Sequence, residues 1–353
     1  MNHLADKYDI TLISTSEIEK DIVFSINPSI KTMSLNMPSE VARFDQYFAL
    51  YFKKFHWIKL MKLLWETINS TFFKRHKIRK HLASLLKEDD SLMICSALDS
   101  YWYAPKKGKV YFHFHFNSKV FFSLGNKLIL LLSRKPDKYI FLSKSTLDIV
   151  TKKKPKIASK ATYVYNPIRF APELDLSYHD NTIIFAGRFA YQKNPLLALK
   201  VANALKEDNF PFKMKMFGQG SLLSEMEEYV KDNGLSSMVK INKTTNDFKS
   251  ELKSSDLLLL TSRFEGFVLV KGEAASLSRP CISSNWGDTV YEMFHLGEDG
   301  FIVDSENPKD FAKKIEEVFS SKENLIRMKQ KAYEYSKELS HEKILPVWEK
   351  ILG

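Results

Sequence analysis

Between positions 187 and 273 the chain brings together side chains that could hold a diphosphate ester while one of its bonds breaks. Gly187-Arg188 follows an apolar run, and Lys193 lies five residues on. Gly218-Gln219-Gly220 closes a second such run, and Arg263-Phe264-Glu265-Gly266-Phe267-Val268 closes a third, with Glu273 eight residues after Glu265. Two fixed cations at one strand end would stabilise the charge that builds on a departing diphosphate. Gly187 allows a tight turn, while Gly218 and Gly220 leave backbone N–H groups open to an anion, and the start of the following helix favours one. A carboxylate such as Glu273 can accept both hydroxyl protons of a ribose diol, while Glu265 sits where a sugar on that phosphate would lie. The same residues also fit a plainer account, as surface cations at a helix start and acids favoured there by the helix dipole.

The elements around these residues set their positions. In the second half, strands are expected at Thr182 to Ala186, Lys213 to Phe217, Val239 to Ile241, Leu257 to Leu260, Cys281 to Ser283 and Phe301 to Val303. Helices are expected over Pro195 to Glu207, Leu222 to Asn233, Phe248 to Ser254, Val268 to Ser278 and Pro308 to Phe319. One helix between each pair of strands implies a parallel, doubly wound sheet. Ligands of such sheets lie beyond the carboxyl ends of the strands, where every motif above falls. The first half reads as strands at Ile10 to Ser14, Leu92 to Ser96, Val110 to Phe116, Tyr139 to Ser143 and Tyr163 to Tyr165, many apolar throughout, as strands covered on both faces are. Asn166-Pro167 breaks the chain, so the expected domains are residues 1–168 and 169–340, with 341–353 a terminal helix crossing back to the first.

At 353 residues, 44% hydrophobic and 27% charged, the chain has the composition of a folded two-domain protein. Its apolar runs, Leu128 to Leu132 and Leu257 to Leu260 among them, are far too short to span a bilayer, and the N-terminus shows no cleavable signal pattern. Cys95 and Cys281 read as small buried hydrophobes of a reducing compartment rather than a disulfide or a metal pair. The net charge of +11 is uneven. Residues 1–168 hold 28 Lys and Arg against 14 Asp and Glu, and the remainder 25 against 28. The excess concentrates in Lys53 to His81 and Lys152 to Lys160. From Phe52 to His81, Phe55, Trp57, Ile58, Leu60, Met61, Leu64, Trp65 and Phe72 interleave with Lys and Arg at helical spacing. That pattern fits docking on an anionic membrane surface, or a helix packed on its own domain.

The second half resembles the family-4 retaining nucleotide-sugar glycosyltransferases of the GT-B fold, over roughly residues 160 to 350. The matching text is Ile184-Phe185-Ala186-Gly187-Arg188 with Lys193-Asn194-Pro195, then Phe217-Gly218-Gln219-Gly220-Ser221-Leu222. It continues through Ser255 to Phe267 and Glu273-Ala274, and Gly297-Glu298-Asp299-Gly300-Phe301-Ile302-Val303 also fits. The resemblance implies two Rossmann-like domains facing a cleft. It puts Arg188 and Lys193 on the donor diphosphate, Glu273 on the ribose and Glu265 on the donor sugar, with backbone contacts at Gly187, Gly218, Gly220, Gly266, Phe267 and Val268. It implies no metal and no cofactor, the UDP- or GDP-linked sugar being a substrate. His115-Phe116-Asn117 resembles the acceptor-side histidine of the family; His113 lies on the same strand face, and His115 is the preferred candidate.

The chain departs from that pattern at its start. Asn2 to Tyr8 reads as the end of a first helix and Ile10 to Ser14 as a second strand, so the first strand and glycine loop of the N-terminal domain are expected to be missing, leaving that domain incomplete. Lys271-Gly272, Ser278 and Asn242-Lys243 depart in smaller ways that bear on donor preference. The expected activity is transfer of a hexose or hexosamine from a nucleotide-diphosphate donor to a glycan or lipid-linked acceptor in cell-surface polysaccharide synthesis, in the cytoplasm at the inner membrane face. Two rivals stand beside it. One is a non-catalytic glycosyltransferase-like subunit or truncated product, completed by a partner chain. The other is a basic peripheral membrane or nucleic-acid binder, although no nucleic-acid motif accompanies the charge.

Overall fold

A computed structural model describes residues 1–14, 26–35, 58, 59, 61, 62, 65, 75–95, 101, 103–122, 130, 131 and 133–353. Most of the expected amphipathic segment at 52–81, with Phe55, Trp57, Leu60, Leu64 and Phe72, lies outside them, as do Ser96 and residues 128, 129 and 132. The chain divides into two compact units, one of residues 1–112 with 125–137, the other of 113–124 with 138–353.

In chain order the strands are β1 (Thr11–Ser14), β2 (Lys31–Ser34), β3 (Ser91–Cys95), β4 (Lys109–Phe114), β5 (Lys138–Phe141), β6 (Ala161–Tyr163), β7 (Thr182–Ala186), β8 (Lys213–Phe217), β9 (Val239–Asn242), β10 (Leu257–Leu260), β11 (Cys281–Ser284) and β12 (Gly300–Val303). The helices are α1 (Arg75–Leu85), α2 (Ser118–Phe121), α3 (Lys144–Lys153), α4 (Pro195–Glu207), α5 (Leu223–Asp232), α6 (Phe248–Lys253), α7 (Leu269–Ser276), α8 (Pro308–Phe319), α9 (Lys322–Lys337) and α10 (His341–Leu352).

In the first unit β1 and β2 pair in parallel, Thr11 opposite Lys31 and Ser14 opposite Ser34. Tyr101 stacks on Phe112 at 4.5 Å between ring centroids, and the Asp137 carboxylate accepts the Val110 N–H at 2.8 Å. Strand β2 was not expected: Lys-Thr-Met-Ser carries no apolar alternation, and pairing with β1 is what holds it extended. Cys95 is exposed at the end of β3, against expectation, whereas Cys281 is buried in β11.

The second unit is built on a six-stranded parallel sheet in the order β12-β11-β10-β7-β8-β9. The chain builds outward from β7 through β8 to β9, then returns to lay β10, β11 and β12 on the other side, so the order reverses between β7 and β10. A sheet of this kind opens its ligand crevice at that switch point. The core explains why these residues make strands. Leu257 to Leu260 are all buried, and successive residues enter opposite apolar clusters. Leu257 and Leu259 share one cluster with Leu197, Val201 and Phe311 of α4 and α8, while Leu258 and Leu260 share the other with Leu252, Ala274 and Leu277 on the α6–α7 side. Helix α4 begins where Asn194 takes a left-handed turn (φ 48°) and Pro195 opens the first turn with its φ already helical.

At the amino end of the sheet, Asp256 accepts the N–H groups of His179 and Thr182 and pairs with the buried Lys329 of α9. Arg279 pairs with Asp175 and donates to the Leu252 and Lys253 carbonyls at 3.1 and 2.9 Å. These contacts fix where residues 173–182 enter the sheet. Helix α9, unexpected from the sequence, is the element that brings Lys329 there. The strand expected at Tyr163 to Tyr165 begins at Ala161, since Tyr139, Ile140 and Phe141 of β5 pair with Ala161, Thr162 and Tyr163. Among the described residues no helix is long and apolar enough to cross a membrane.

Candidate functional site

The turns leaving β7 and β10 are laced together at the switch point. The Arg263 N–H donates to the Gln192 carbonyl at 2.9 Å, and the Thr261 hydroxyl donates to the Asn194 carbonyl at 2.8 Å. Buried hydrogen bonds of this kind between two loops hold their side chains in register. Lys193 Nζ then meets Glu265 Oε1 at 2.6 Å, with the two side chains 19% and 8% exposed. At that exposure both charges are largely withdrawn from water, and each is held by the other. Gln192 donates to Glu265 Oε2 at 3.3 Å and to the Phe264 carbonyl at 3.1 Å, and accepts from Arg188 at 2.9 Å. Of the two cations marked in the sequence, Arg188 is exposed and has no carboxylate partner among the described residues, whereas Lys193 is committed to Glu265.

Glycine is required at three of the expected positions by close approach. A Cβ on Gly218 would lie 2.0 Å from the Gly187 carbonyl oxygen, and one on Gly266 would lie 2.6 Å from the His115 carbonyl oxygen. The first contact packs the β8 turn under Gly187, where the Gly187 N–H donates to the Phe217 carbonyl at 3.0 Å. Gly220 is similarly crowded, by the Phe189 carbonyl at 2.2 Å, whereas a Cβ at Gly187 would meet only Lys193 methylenes at 3.4 Å.

His115 is thus next to the Glu265–Gly266 turn through its backbone, and Asn117 Nδ2 donates to the Glu265 carbonyl at 3.3 Å while its Oδ1 caps α2. The His115 and His113 rings share a contact between Nε2 and Nδ1 at 3.0 Å. Burial lowers the pKa of both; His113 falls to about 3, with help from the neighbouring His115 charge. His113 is the deeper of the two, with Trp348 of α10 edge-on at 5.1 Å, and Lys138 donates to the Ile351 carbonyl at the end of that helix at 2.7 Å.

Val268 caps α7 without a side-chain hydrogen bond, leaving the first amides of the helix to face the turn. Glu273 lies a little over one turn along α7. Burial raises its pKa, opposed by the Arg169 charge, and its carboxylate makes no hydrogen bond or ion pair among the described residues. Phe267 stacks on Tyr165 at 5.8 Å, and the Tyr165 hydroxyl donates to Glu292. The Glu292 carboxylate also accepts the first two N–H groups of α3, at 2.7 and 2.8 Å, and Ser118 donates to Asp288. The structure therefore brings Gly187, Arg188, Lys193, Glu265, Gly266 and His115 to one place, with Gly218 and Gly220 packed beneath and Glu273 along the helix behind.

Gln192 and Glu292 carried no signal in the sequence as site residues, because Glu265 and the start of α3, which they meet, lie 73 and 148 positions away; Asn117, marked only beside His115, meets Glu265 across 148. Lys271, marked there as a departure bearing on donor preference, is 1% exposed and ion-paired with Asp299 under the Tyr335 ring.

Residues 169–335 match the family model described as glycosyl transferases group 1. Among curated proteins the chain is 27% identical over 206 residues to the Campylobacter jejuni GalNAc-alpha-(1->4)-GalNAc-alpha-(1->3)-diNAcBac-PP-undecaprenol alpha-1,4-N-acetyl-D-galactosaminyltransferase, covering 56% of each chain. The chain spans about half the length of the curated relatives it matches. Among solved structures it is similar to S. aureus TarM with Fondaparinux, alpha-GlcNAc-glycerol and UDP, with a TM-score of 0.67 and 22% identity over 78% of this chain and 58% of that one. Anabaena Alr3699/HepE in complex with UDP superposes with a TM-score of 0.66 at 14% identity, over 97% of this chain and 99% of that one. The fold is that of the GT-B glycosyltransferases.

Proposed function

We propose that this chain is a retaining glycosyltransferase that moves a hexose or hexosamine from a UDP- or GDP-linked donor to a glycan or lipid-linked acceptor. The observation that carries the reading is the cluster of Arg188, Lys193 and Glu265 at the switch point of the sheet, before the uncapped start of α7. The donor diphosphate lies against Arg188, Lys193 and the first amides of α7, with its ribose on Glu273 and its sugar beside Glu265 and His115. The bond between the anomeric carbon and the diphosphate oxygen breaks, and the leaving group takes the electron pair. The acceptor hydroxyl bonds to that carbon on the same face, and its proton passes to the departing phosphate oxygen. Arg188 and the helix start stabilise the negative charge as it develops, so no metal is required in this reading.

Relatives named for amylovoran biosynthesis and for transfer to a PP-undecaprenol-linked glycan support a role in cell-surface glycan synthesis. An anionic membrane surface suits two features. Ile58, Met61 and Trp65, at helical spacing, are 87%, 64% and 65% exposed. Lys152, Lys153, Lys154, Lys156 and Lys160 make no ion pair among the described residues. In this reading the protein works at the cytoplasmic face.

Calorimetry of UDP and GDP with the purified chain tests the donor site, with Glu273→Ala as control. Binding that weakens about tenfold or more in the variant is expected, because a carboxylate bonded to two hydroxyls is lost. A folded chain that binds neither nucleotide would overturn the proposal.

A further inference from the structure

Gln192 stands between the two groups assigned above to the diphosphate and to the sugar. Its side-chain oxygen accepts from the Arg188 guanidinium at 2.9 Å, and its nitrogen donates to Glu265 Oε2 at 3.3 Å and to the Phe264 carbonyl at 3.1 Å. A carboxamide accepts on one side and donates on the other without carrying charge. A glutamate of the same shape would face Glu265 with like charge, and a lysine or arginine would face Arg188 in the same way. The backbone of Gln192 is fixed as well, since its carbonyl accepts the Arg263 N–H at 2.9 Å.

The arrangement keeps Arg188 and Glu265 from meeting. An exposed guanidinium close to a carboxylate would otherwise pair with it directly and turn its donors away from an incoming phosphate. With Gln192 inserted, Lys193 balances the Glu265 charge at 2.6 Å, and Arg188 spends one nitrogen on a neutral oxygen, leaving its other donors outward.

We infer that Gln192 is a positioning residue, whose carboxamide holds the Arg188 guanidinium and the Glu265 carboxylate apart at one fixed spacing to receive a sugar diphosphate. The inference rests on the sugar-transfer reading for its catalytic consequence, but not for its geometry.

The full chain is compared with Gln192→Leu and Gln192→Glu. In the ligand-free state, NMR of the Arg188 guanidinium reads slowed rotation about the Cζ–Nε bond where Gln192 holds it. That slowing is expected in the parent, lost in Gln192→Leu and kept in Gln192→Glu, which retains the acceptor. With UDP-glucose, UDP-galactose, UDP-N-acetylglucosamine and GDP-mannose, and water as the acceptor hydroxyl, kcat for release of the nucleoside diphosphate is expected to fall about tenfold to a hundredfold in both variants, as for a misplaced catalytic group. UDP affinity by calorimetry is expected to fall less than kcat does, since Glu273 and the helix start are untouched and the charge that Arg188 meets develops in the transition state. An Arg188 side chain equally mobile in the parent and in Gln192→Leu would overturn the geometric claim. Unchanged kcat in an active protein would overturn the catalytic one. A parent that binds no nucleotide and turns over no donor would defeat the sugar-transfer reading instead, with the NMR comparison still deciding whether Gln192 holds Arg188.

Discussion

Replacing Lys271 by methionine separates a structural role from a donor-binding one. Lys271 and Asp299 are 1% and 0% exposed, ion-paired, and the ammonium lies 3.4 Å from the centre of the Tyr335 ring. Burial pulls the Lys271 pKa down, while Asp299 pushes it back up. Asp299 Oδ1 also accepts the His295 N–H at 2.8 Å, so the carboxylate stays in place when the lysine is removed. Breaking one side of a buried pair strands the other charge, at a cost of about 3 to 5 kcal/mol. For a unit of this size that corresponds to a fall in Tm of about 6 to 20 °C. Methionine fills nearly the same volume, so little of the loss comes from a cavity. Thermal and urea melts at pH 7.5 provide the assay. Adding Asp299→Asn should restore most of the stability, and UDP affinity should stay unchanged below the melting range. A single variant as stable as the parent, or a double variant no better than the single, would refute the reasoning. Weakened UDP binding with an unchanged melt would give Lys271 a role in donor binding instead.

Gly218→Ala should lower stability by about 1 to 3 kcal/mol, the usual range for overpacking, since its Cβ would sit 2.0 Å from a backbone oxygen. Gly187→Ala should be tolerated in a melt, and equal Tm values for the two variants would show that the β8 turn does not need its glycine. Arg188→Ala should reduce kcat more than it weakens UDP binding, because its partner charge develops only in the transition state; a change confined to KM would remove it from that role. The lowered pKa values of His113 and His115 make the folded state bind protons less readily than the unfolded one. The His113 contribution is therefore complete above about pH 6.5 and is lost as pH falls toward about 3, at about 1.4 kcal/mol per pH unit, and His115 acts in the same direction. His113→Gln should flatten that part of the stability profile, and parallel profiles for parent and variant would sink the assignment.

The sequence by itself determined the second unit's frame. Leu257 to Leu260, Thr182 to Ala186 and the Pro195 helix start are local signals, set by apolar content, strand length and backbone geometry that neighbouring residues specify between them. The order of these elements was enough to put Arg188, Lys193, Glu265 and Glu273 at strand ends and helix starts, because a parallel sheet with one helix between strands has few ways to connect. What the side chains do to one another was decided only by the tertiary structure. Lys193 meets Glu265 across 72 residues, and Lys271 finds Asp299 across 28. One cation lies in the site and the other in the core, yet in sequence each is a lysine on or near the start of a helix. The difference between them is desolvation and the identity of the partner, both properties of packing between elements distant in the chain. For the same reason Gln192 was silent. An uncharged amide gains a role only when a guanidinium and a carboxylate are brought to its two ends.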